Sequence, residues 1–326
     1  MIPEARLAGA KSTLEASDRL ALVCHRKPDG DAVGSAVGLG LTLEALGKTV
    51  RLVSVDPVPE RYRFIEGTHR FRTELAAEAV DTVVLLDCGA DHMSGLTTDE
   101  LRAAGPIVEI DHHQKPTRLP SPRLAVYDAE ASSTAEIVYR LVTYARWALP
   151  RPAATALLTG IVADTSAFQN SNTAPATLEV AAELLRKGAR LKDIIKHCFY
   201  SSSVPKLRLW GTAMSRIERN TGAAGMVSTV LTAEDIVECG AHPDDVEGLV
   251  NFLNSIPGVP ATMLLTDLGG GEIKGSLRTR RPEINVARLA GLFGGGGHAQ
   301  AAGFSIPGRL NRNLDDSWVV LPPQSD

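Results

Sequence analysis

The sequence predicts an α/β protein of two domains: an N-terminal parallel sheet with helices on both faces, a helical linker, and a smaller C-terminal α/β domain with a Gly-rich loop. Three observations predict it. The chain has 326 residues, too many for one small core. In its first half, short apolar runs alternate with stretches of helical spacing, which is the pattern of a parallel sheet covered on both sides. Near Gly222 the pattern changes and a second set of strands begins, closing on Gly294-Gly295-Gly296-Gly297-His298.

Taken in order, residues 20–24 form a short apolar strand that ends at His25. Residues 32–46 have helical spacing and stop at Gly47, a common helix terminator. Residues 49–55 read as the next strand. The run 82–86 is a buried strand ending at Asp87, and 107–110 is another ending at Asp111. Helices are predicted over 133–148, 153–162 and 174–187, completing a first domain over 1–188. Residues 189–221 are polar and mixed and read as a helical connector. The second domain, 222–306, has strands at 226–231, 261–266 and 272–277 and a helix at 244–256. The Pro-, Asn- and Asp-rich stretch 307–326 is predicted to be poorly ordered.

Composition is that of a soluble globular protein, 44% hydrophobic and 22% charged. No apolar run reaches the length of a membrane span, and no basic-then-apolar leader opens the chain. Cys24, Cys88, Cys198 and Cys239 are scattered without a CxxC pair, which suits reduced thiols in a cytoplasmic protein. A net charge of −4 argues against a binder of long nucleic acid or duplex, which would want a basic face. It leaves room for a short anionic substrate gripped by a metal and a few arginines.

Polar residues gather at the predicted strand ends. In parallel sheets a ligand site lies beyond the carboxyl ends of the strands, and His25, Asp87 and Asp111 all fall there. Pro28-Asp29-Gly30-Asp31 is strong turn chemistry, and Asp31 could equally cap a helix. As ligands, Asp29 and Asp31 stand two apart, so a tight loop could send them to different cations, with His25 joining one. Asp87 follows a buried apolar strand, where a carboxylate is costly unless solvated or liganded. It can cap the next turn or bridge two cations. Asp111-His112-His113 can be a surface pair, or can place one histidine on metal and the other toward substrate. Asp164 closes an apolar helix and alone reads as ordinary capping. Converging carboxylates and imidazoles call for a cation, and oxygen with nitrogen donors and no thiolate suits Mn²⁺ or Mg²⁺ better than structural zinc. Gly294 to Gly297 before His298 could be a linker, yet apolar residues flank the run closely, and glycines let backbone N–H groups approach an anion. Arg278 reads as an anion contact or as a solvated strand charge.

In this order the motifs His25-x-x-x-Asp29-x-Asp31, Asp87, Asp111-His112-His113, Asp164 and Gly295-Gly296-Gly297-His298 resemble the DHH phosphoesterase family. The resemblance runs from about residue 20 to 305, nearly the whole chain. It leans toward the short two-domain members, nanoRNases with pAp phosphatase activity and their cyclic-di-AMP phosphodiesterase relatives. Ser132-Ser133-Thr134-Ala135-Glu136, Ser276-Leu277-Arg278 and Asn285-Val286 resemble that subgroup. Asp91-His92-Met93-Ser94 stand where some relatives carry an arginine.

The resemblance implies a dinuclear Mn²⁺ or Mg²⁺ centre. His25, Asp29 and Asp87 would hold one ion. Asp31, Asp87, His112 and Asp164 would hold the other, with Asp87 as the bridge. His113 would face the scissile phosphate, Asp111 would orient the histidines, and Arg278, His298, Gly295, Gly296, Gly297 and Ser133 would contact substrate. The implied activity is hydrolysis of oligonucleotides of two to five residues, and of pAp, to nucleoside monophosphates by a metal-activated water. A cyclic-di-AMP or pApA phosphodiesterase is the alternative. A pyrophosphatase or polyphosphatase, a RecJ-like single-strand exonuclease and a non-catalytic nucleotide sensor fit less well. Monomer and homodimer both stay open.

Overall fold

The structure, a computed structural model, describes residues 2–75, 80–89, 91–113, 124–200, 202–220, 225–314 and 317–322. The chain divides into two compact units, Met1–Ser201 and Ser202–Asp326.

The first unit opens with α1 (Glu4–Ala16), β1 (Arg19–Cys24), α2 (Gly30–Ala45) and β2 (Thr49–Val53). It continues through β3 (Thr82–Leu86), α3 (Thr98–Ala104), β4 (Ile107–Asp111) and β5 (Leu124–Tyr127). It ends with α4 (Thr134–Ala145), α5 (Arg151–Asp164), α6 (Pro175–Arg186) and α7 (Leu191–Phe199). The five strands form one parallel sheet in the order β2-β1-β3-β4-β5. Both faces are covered, as the unbroken apolar strands require. Leu22, Leu86, Val108 and Ile110 join the core with residues of α2, α4 and α5, while Val23, Leu85 and Ile107 pack with Leu101 of α3 on the other side.

Two features of this unit aim its chemistry. The chain reverses direction across the sheet after β1, so β1 and β3 flank the switch point where open α/β sheets bind ligands. The register pairs Cys24 with Leu86 and Leu86 with Ile110, so His25, Asp87 and Asp111 extend from one row of three adjacent strands. Close helix packing adds the rest. A Cβ on Gly34 of α2 would lie 2.4 Å from the Ala156 carbonyl oxygen of α5, and one on Gly160 would lie 2.7 Å from Asp31 Oδ1. The absence of side chains there lets the start of α2, with Asp31, meet the end of α5, with Asp164. The strands at 82–86 and 107–110 fall where the sequence predicts them, whereas α1, α3 and β5 go beyond it.

The second unit contains α8 (Val204–Ser215), β6 (Glu218–Asn220), β7 (Met226–Leu231), α9 (Ala233–Glu238), α10 (Leu249–Leu253), β8 (Thr262–Asp267) and β9 (Glu272–Arg278). It continues with α11 (Val286–Gly291), β10 (Gly296–His298), β11 (Ala301–Pro307), β12 (Arg309–Arg312) and β13 (Trp318–Leu321). Its six-stranded sheet has the order β10-β11-β9-β8-β7-β6 and is mixed, with β7 and β8 parallel and the other pairs antiparallel.

Three expectations need correction here. Residues 244–256 are not one helix: a 3₁₀ turn over Pro243–Val246 stops at Gly248, whose φ of +91° no helix interior accepts, and α10 starts after it. Residues 189–221 are not one helical connector: among the described residues they hold α7 of the first unit and α8 and β6 of the second. The stretch 307–326 is not poorly ordered over its described part. β12 and β13 form a hairpin, and Leu310 is buried with Val230 and Ile273. All four cysteines are free thiols. No helix among the described residues is long and apolar enough to cross a membrane.

Candidate metal centre

The centre is built at the carboxyl edge of the parallel sheet. Asp29 is the N-cap of α2; its Oδ1 accepts hydrogen bonds from the Asp31 N–H at 2.9 Å and the Ala32 N–H at 3.0 Å. That cap turns the loop after β1 so that Asp29 and Asp31 diverge. His25 Nε2 lies 3.7 Å from Asp29 Oδ1 and 3.6 Å from Asp87 Oδ2. His112 Nε2 lies 3.6 Å from Asp87 Oδ1, 3.7 Å from Asp164 Oδ2 and 3.9 Å from Asp31 Oδ2. These gaps are too long for hydrogen bonds. They lie at or just beyond the spacing of donors around a shared cation: atoms each about 2.1 Å from an ion and 90–120° apart lie roughly 3.0–3.6 Å from one another. His25, Asp29 and Asp87 form one such group and Asp31, His112 and Asp164 another. Asp87 presents one oxygen to each group.

Electrostatics test the same fit. Asp31 and Asp87 are 1% and 3% exposed. Burial and the charges of Asp87, Asp164 and Asp29 push the Asp31 carboxyl well above its usual range. Burial, with the charges of Asp87 and Asp29 outweighing the help of His112 and His113, pushes Asp164 up to about 7. Burial opposes the charge on His25, but the neighbouring carboxylates of Asp29 and Asp87 carry it up to about 11. Such a set calls for positive charge, and divalent cations with oxygen and nitrogen preference would supply it. The residues therefore fit the group that their chemistry implies.

His113 is held differently from His112. Its Nδ1 lies 2.7 Å from Asp111 Oδ1, and its backbone N–H donates to the same oxygen at 3.0 Å. The other oxygen of Asp111 accepts from the Gly89 N–H at 2.6 Å. The Asp111 hydrogen bond, against burial and with the Asp87 charge, raises His113 to about 9. Although His113 also stands 3.6 Å from Asp87 Oδ1 through Nδ1, that nitrogen is engaged by Asp111, which favours His112 as the ligand.

Ser133 is 0% exposed and is the N-cap of α4, its Oγ accepting from the Glu136 N–H at 3.1 Å. The cap commits the hydroxyl of this expected substrate contact to the helix. The residues after Ser133 reach the centre: the Thr134 and Ala135 N–H groups donate to Asp31 at 2.6 and 2.9 Å, and Thr134 Oγ1 donates to Asp87 Oδ1 at 2.9 Å. Sequence reasoning also passed over Asn172, whose amide donates to the Ser132 carbonyl at 2.9 Å and reaches Asp164 Oδ2 at 3.4 Å. It lies in a loop after α5 that begins with Ser166, Ala167 and Phe168 at φ of +48°, +57° and +66°, and nothing in its spacing flags it.

In the second unit, His298 pairs with Ala301 across β10 and β11, and Ala301 pairs with Arg278 across β11 and β9. Residues opposite one another share a face, so two cationic or donor side chains stand about 10 Å apart with a small alanine between them. Arg278 Nε donates to Asn251 Oδ1 at 2.9 Å. The glycines are packed rather than loose: a Cβ on Gly295 would lie 2.2 Å from the Gly303 carbonyl oxygen, and Gly297 has φ +135° with a Cβ site 2.6 Å from the Ala301 oxygen.

Comparison with known proteins agrees with this layout. Residues 19–161 match the DHH family N-terminal domain, and residues 224–317 match the DHHA1 domain. The bifunctional oligoribonuclease and PAP phosphatase NrnA of Thermus thermophilus is 32% identical over 88% of this chain and 84% of its own. The Bacillus subtilis protein of the same name is 26% identical over 90% of this chain and 91% of its own. A solved structure, an exopolyphosphatase-related protein from Bacteroides fragilis, matches with a TM-score of 0.85 at 28% identity, covering 95% of this chain and 93% of that one. Shared residues and shared fold thus extend along nearly the whole length, and the chain belongs to the DHH family.

Proposed function

We propose that this chain is a metal-dependent phosphoesterase that hydrolyses oligonucleotides of two to five residues, and pAp, to nucleoside monophosphates. The observation that carries the reading is Asp87, one buried carboxylate aimed at two separate groups of ligand atoms. The two relatives named as oligoribonuclease and PAP phosphatase supply the substrate class.

His25, Asp29 and Asp87 would hold one divalent cation, and Asp31, Asp87, His112 and Asp164 the other, with Mn²⁺ preferred over Mg²⁺. When bound, two such ions would supply an acidified water and neutralise phosphoryl charge. The protein's own groups do the rest. Asp111 holds His113 through Nδ1, leaving Nε2 to donate to a phosphoryl oxygen as negative charge builds there. Asp29 caps α2 by accepting from the Asp31 and Ala32 N–H groups, which fixes the loop that carries both carboxylates. Arg278, His298 and the Gly295 to Gly297 backbone are assigned the remainder of the nucleotide, supported by their common row on the second sheet.

The test is a turnover panel with Mn²⁺: pApA, a 5-mer and a 24-mer RNA, pAp, cyclic-di-AMP and pyrophosphate. The expected result is fast cleavage of pApA, the 5-mer and pAp, with little action on the 24-mer. Preferential cleavage of pyrophosphate, or of the 24-mer, would overturn the substrate assignment.

A further inference from the structure

We propose that Thr134 is a positioning residue of the metal centre: its hydroxyl fixes the bridging carboxylate of Asp87 so that both cations can be held at once. The inference rests on the dinuclear reading above and adds the residue that sets it.

Asp87 follows β3 at φ +59°, and its carboxylate turns about a broad, two-fold terminal torsion. Its surroundings do not hold it. The His25, His112 and His113 ring nitrogens stand 3.6 Å away, beyond hydrogen-bonding range. Among the described residues, Thr134 Oγ1 is the one group within hydrogen-bonding distance of that carboxylate, at 2.9 Å from Oδ1. Oδ1 is also the oxygen that faces His112. One lone pair of Oδ1 accepts the hydroxyl, leaving the other for the ion at the His112 group and leaving Oδ2 for the ion at the His25 group. Rotation of the carboxylate would break this division.

Thr134 is itself held from several sides. It is 0% exposed and is the first residue of the twelve-residue α4. Its N–H and that of Ala135 hold the two oxygens of Asp31, so one helix turn orients a ligand private to the second group and the ligand shared by both. The Ala131 carbonyl on the same stretch lies 3.4 Å from His112 Nδ1. Behind this stretch, the Glu136 carboxylate accepts from the Ser132 N–H at 3.0 Å, the Ser132 hydroxyl at 2.6 Å and the Thr177 hydroxyl at 2.9 Å, and pairs with Arg140. The hydroxyl is therefore delivered to Asp87 by a rigid element.

The experiment uses the full chain, stripped with a chelator and titrated calorimetrically with Mn²⁺, as wild type, Thr134→Val and Thr134→Ser. Valine keeps the shape and the two backbone N–H donors and puts a methyl group in place of the hydroxyl; serine restores the hydroxyl. Wild type and Thr134→Ser are expected to bind two ions. Thr134→Val is expected to hold one normally and to bind the second about 10- to 100-fold more weakly, the usual loss when a ligand's hydrogen-bonding partner is removed. Electron paramagnetic resonance at equal Mn²⁺ should show the exchange-coupled pair in wild type and Thr134→Ser but not in Thr134→Val, a change that a merely structural role would not produce. Two ions bound by Thr134→Val with wild-type affinity and coupling would overturn the proposal while leaving the metal centre standing. Failure of wild type to bind Mn²⁺ would contradict the dinuclear reading and this inference together. Should Thr134→Val not fold, Thr134→Ala removes the same hydroxyl without placing a methyl against the carboxylate and is read the same way.

Discussion

The two units hold their polar residues in opposite ways. In the first, the carboxylates of the candidate centre are met by fixed donors: Asp31 accepts two backbone N–H groups, Asp87 a hydroxyl, Asp29 two N–H groups and Asp111 three donors. In the second, His298 is exposed on an edge strand and Arg278 is half-buried with Asn251 as its side-chain partner. The difference separates two tasks. On the proposed function, groups that would share cations or meet a forming charge are set before substrate arrives, because any rearrangement would raise the barrier. Groups that grip a remote part of a substrate can finish their ordering on binding.

The comparison breaks first at Asp87. Asp87→Ala should empty both ion positions and lower turnover of pApA by more than roughly a thousandfold, since the acidified water is lost with the ions. His113→Ala should keep its metal and still lose roughly 100- to 1,000-fold, the scale for one donor at a developing charge. Elemental analysis beside turnover separates them: if His113→Ala lost metal and His112→Ala kept it, the two histidines would exchange roles. In the second unit, Arg278→Ala and His298→Ala should lower kcat/KM for pApA and pAp by about tenfold to a thousandfold, the equivalent of one or two charge-assisted hydrogen bonds. Hydrolysis of a small nitrophenyl phosphodiester should change much less. Equal losses on both substrates would move these residues into the chemistry and erase the division of tasks.

Acidity sharpens the contrast because the perturbed groups cited here cluster in the first unit's centre. Without metal, Asp164 has its folded pKa raised to about 7, so its burden on the fold is absent below about pH 4 and grows as pH rises toward 7. His25, raised to about 11, contributes stability that is complete below about pH 6.5 and declines above it. Asp29 and Asp111, both lowered, have given their full contribution well before pH 6. All signs point one way: metal-free protein should melt lower at pH 8 than at pH 6, and Mn²⁺ should raise the melting temperature more at pH 8. Each proton displaced by metal adds about tenfold in affinity per pH unit below that group's pKa, so the gain should be steeper below pH 7 than above it. Calorimetric titration across pH 5.5–8.5 measures this, and a flat profile would refute the electrostatic account.

The smallest expected effect is at Ser133. As a buried cap, Ser133→Ala should destabilise the fold by about 1 kcal/mol and leave KM for pApA unchanged. A raised KM at unchanged stability would return Ser133 to the substrate.

The start of α4 shows where sequence reading ends. Ser132, Ser133 and Thr134 share the same hydroxyl chemistry, and only the helix start decides which caps and which reaches Asp87. By contrast His25, Asp87 and Asp111 were legible because each follows an unbroken apolar run whose strand character leaves little choice about where its last residue points. Asp164 was legible only as the end of an apolar helix; its approach to Asp31 depends on Gly34 and Gly160, whose contact is long-range. The hairpin over 309–321 hid behind Pro, Asn and Asp, turn residues that outweigh a lone buried Leu310. Gly248 looked tolerable inside a helical pattern because a positive φ cannot be read from a glycine's identity.

The most direct measurement is metal counting against turnover. Exhaustively chelated protein should carry no metal and cleave no pApA, and hydrolysis should return as Mn²⁺ is added, reaching its maximum at two ions per chain. Full turnover by protein shown to be metal-free would contradict the account at its centre.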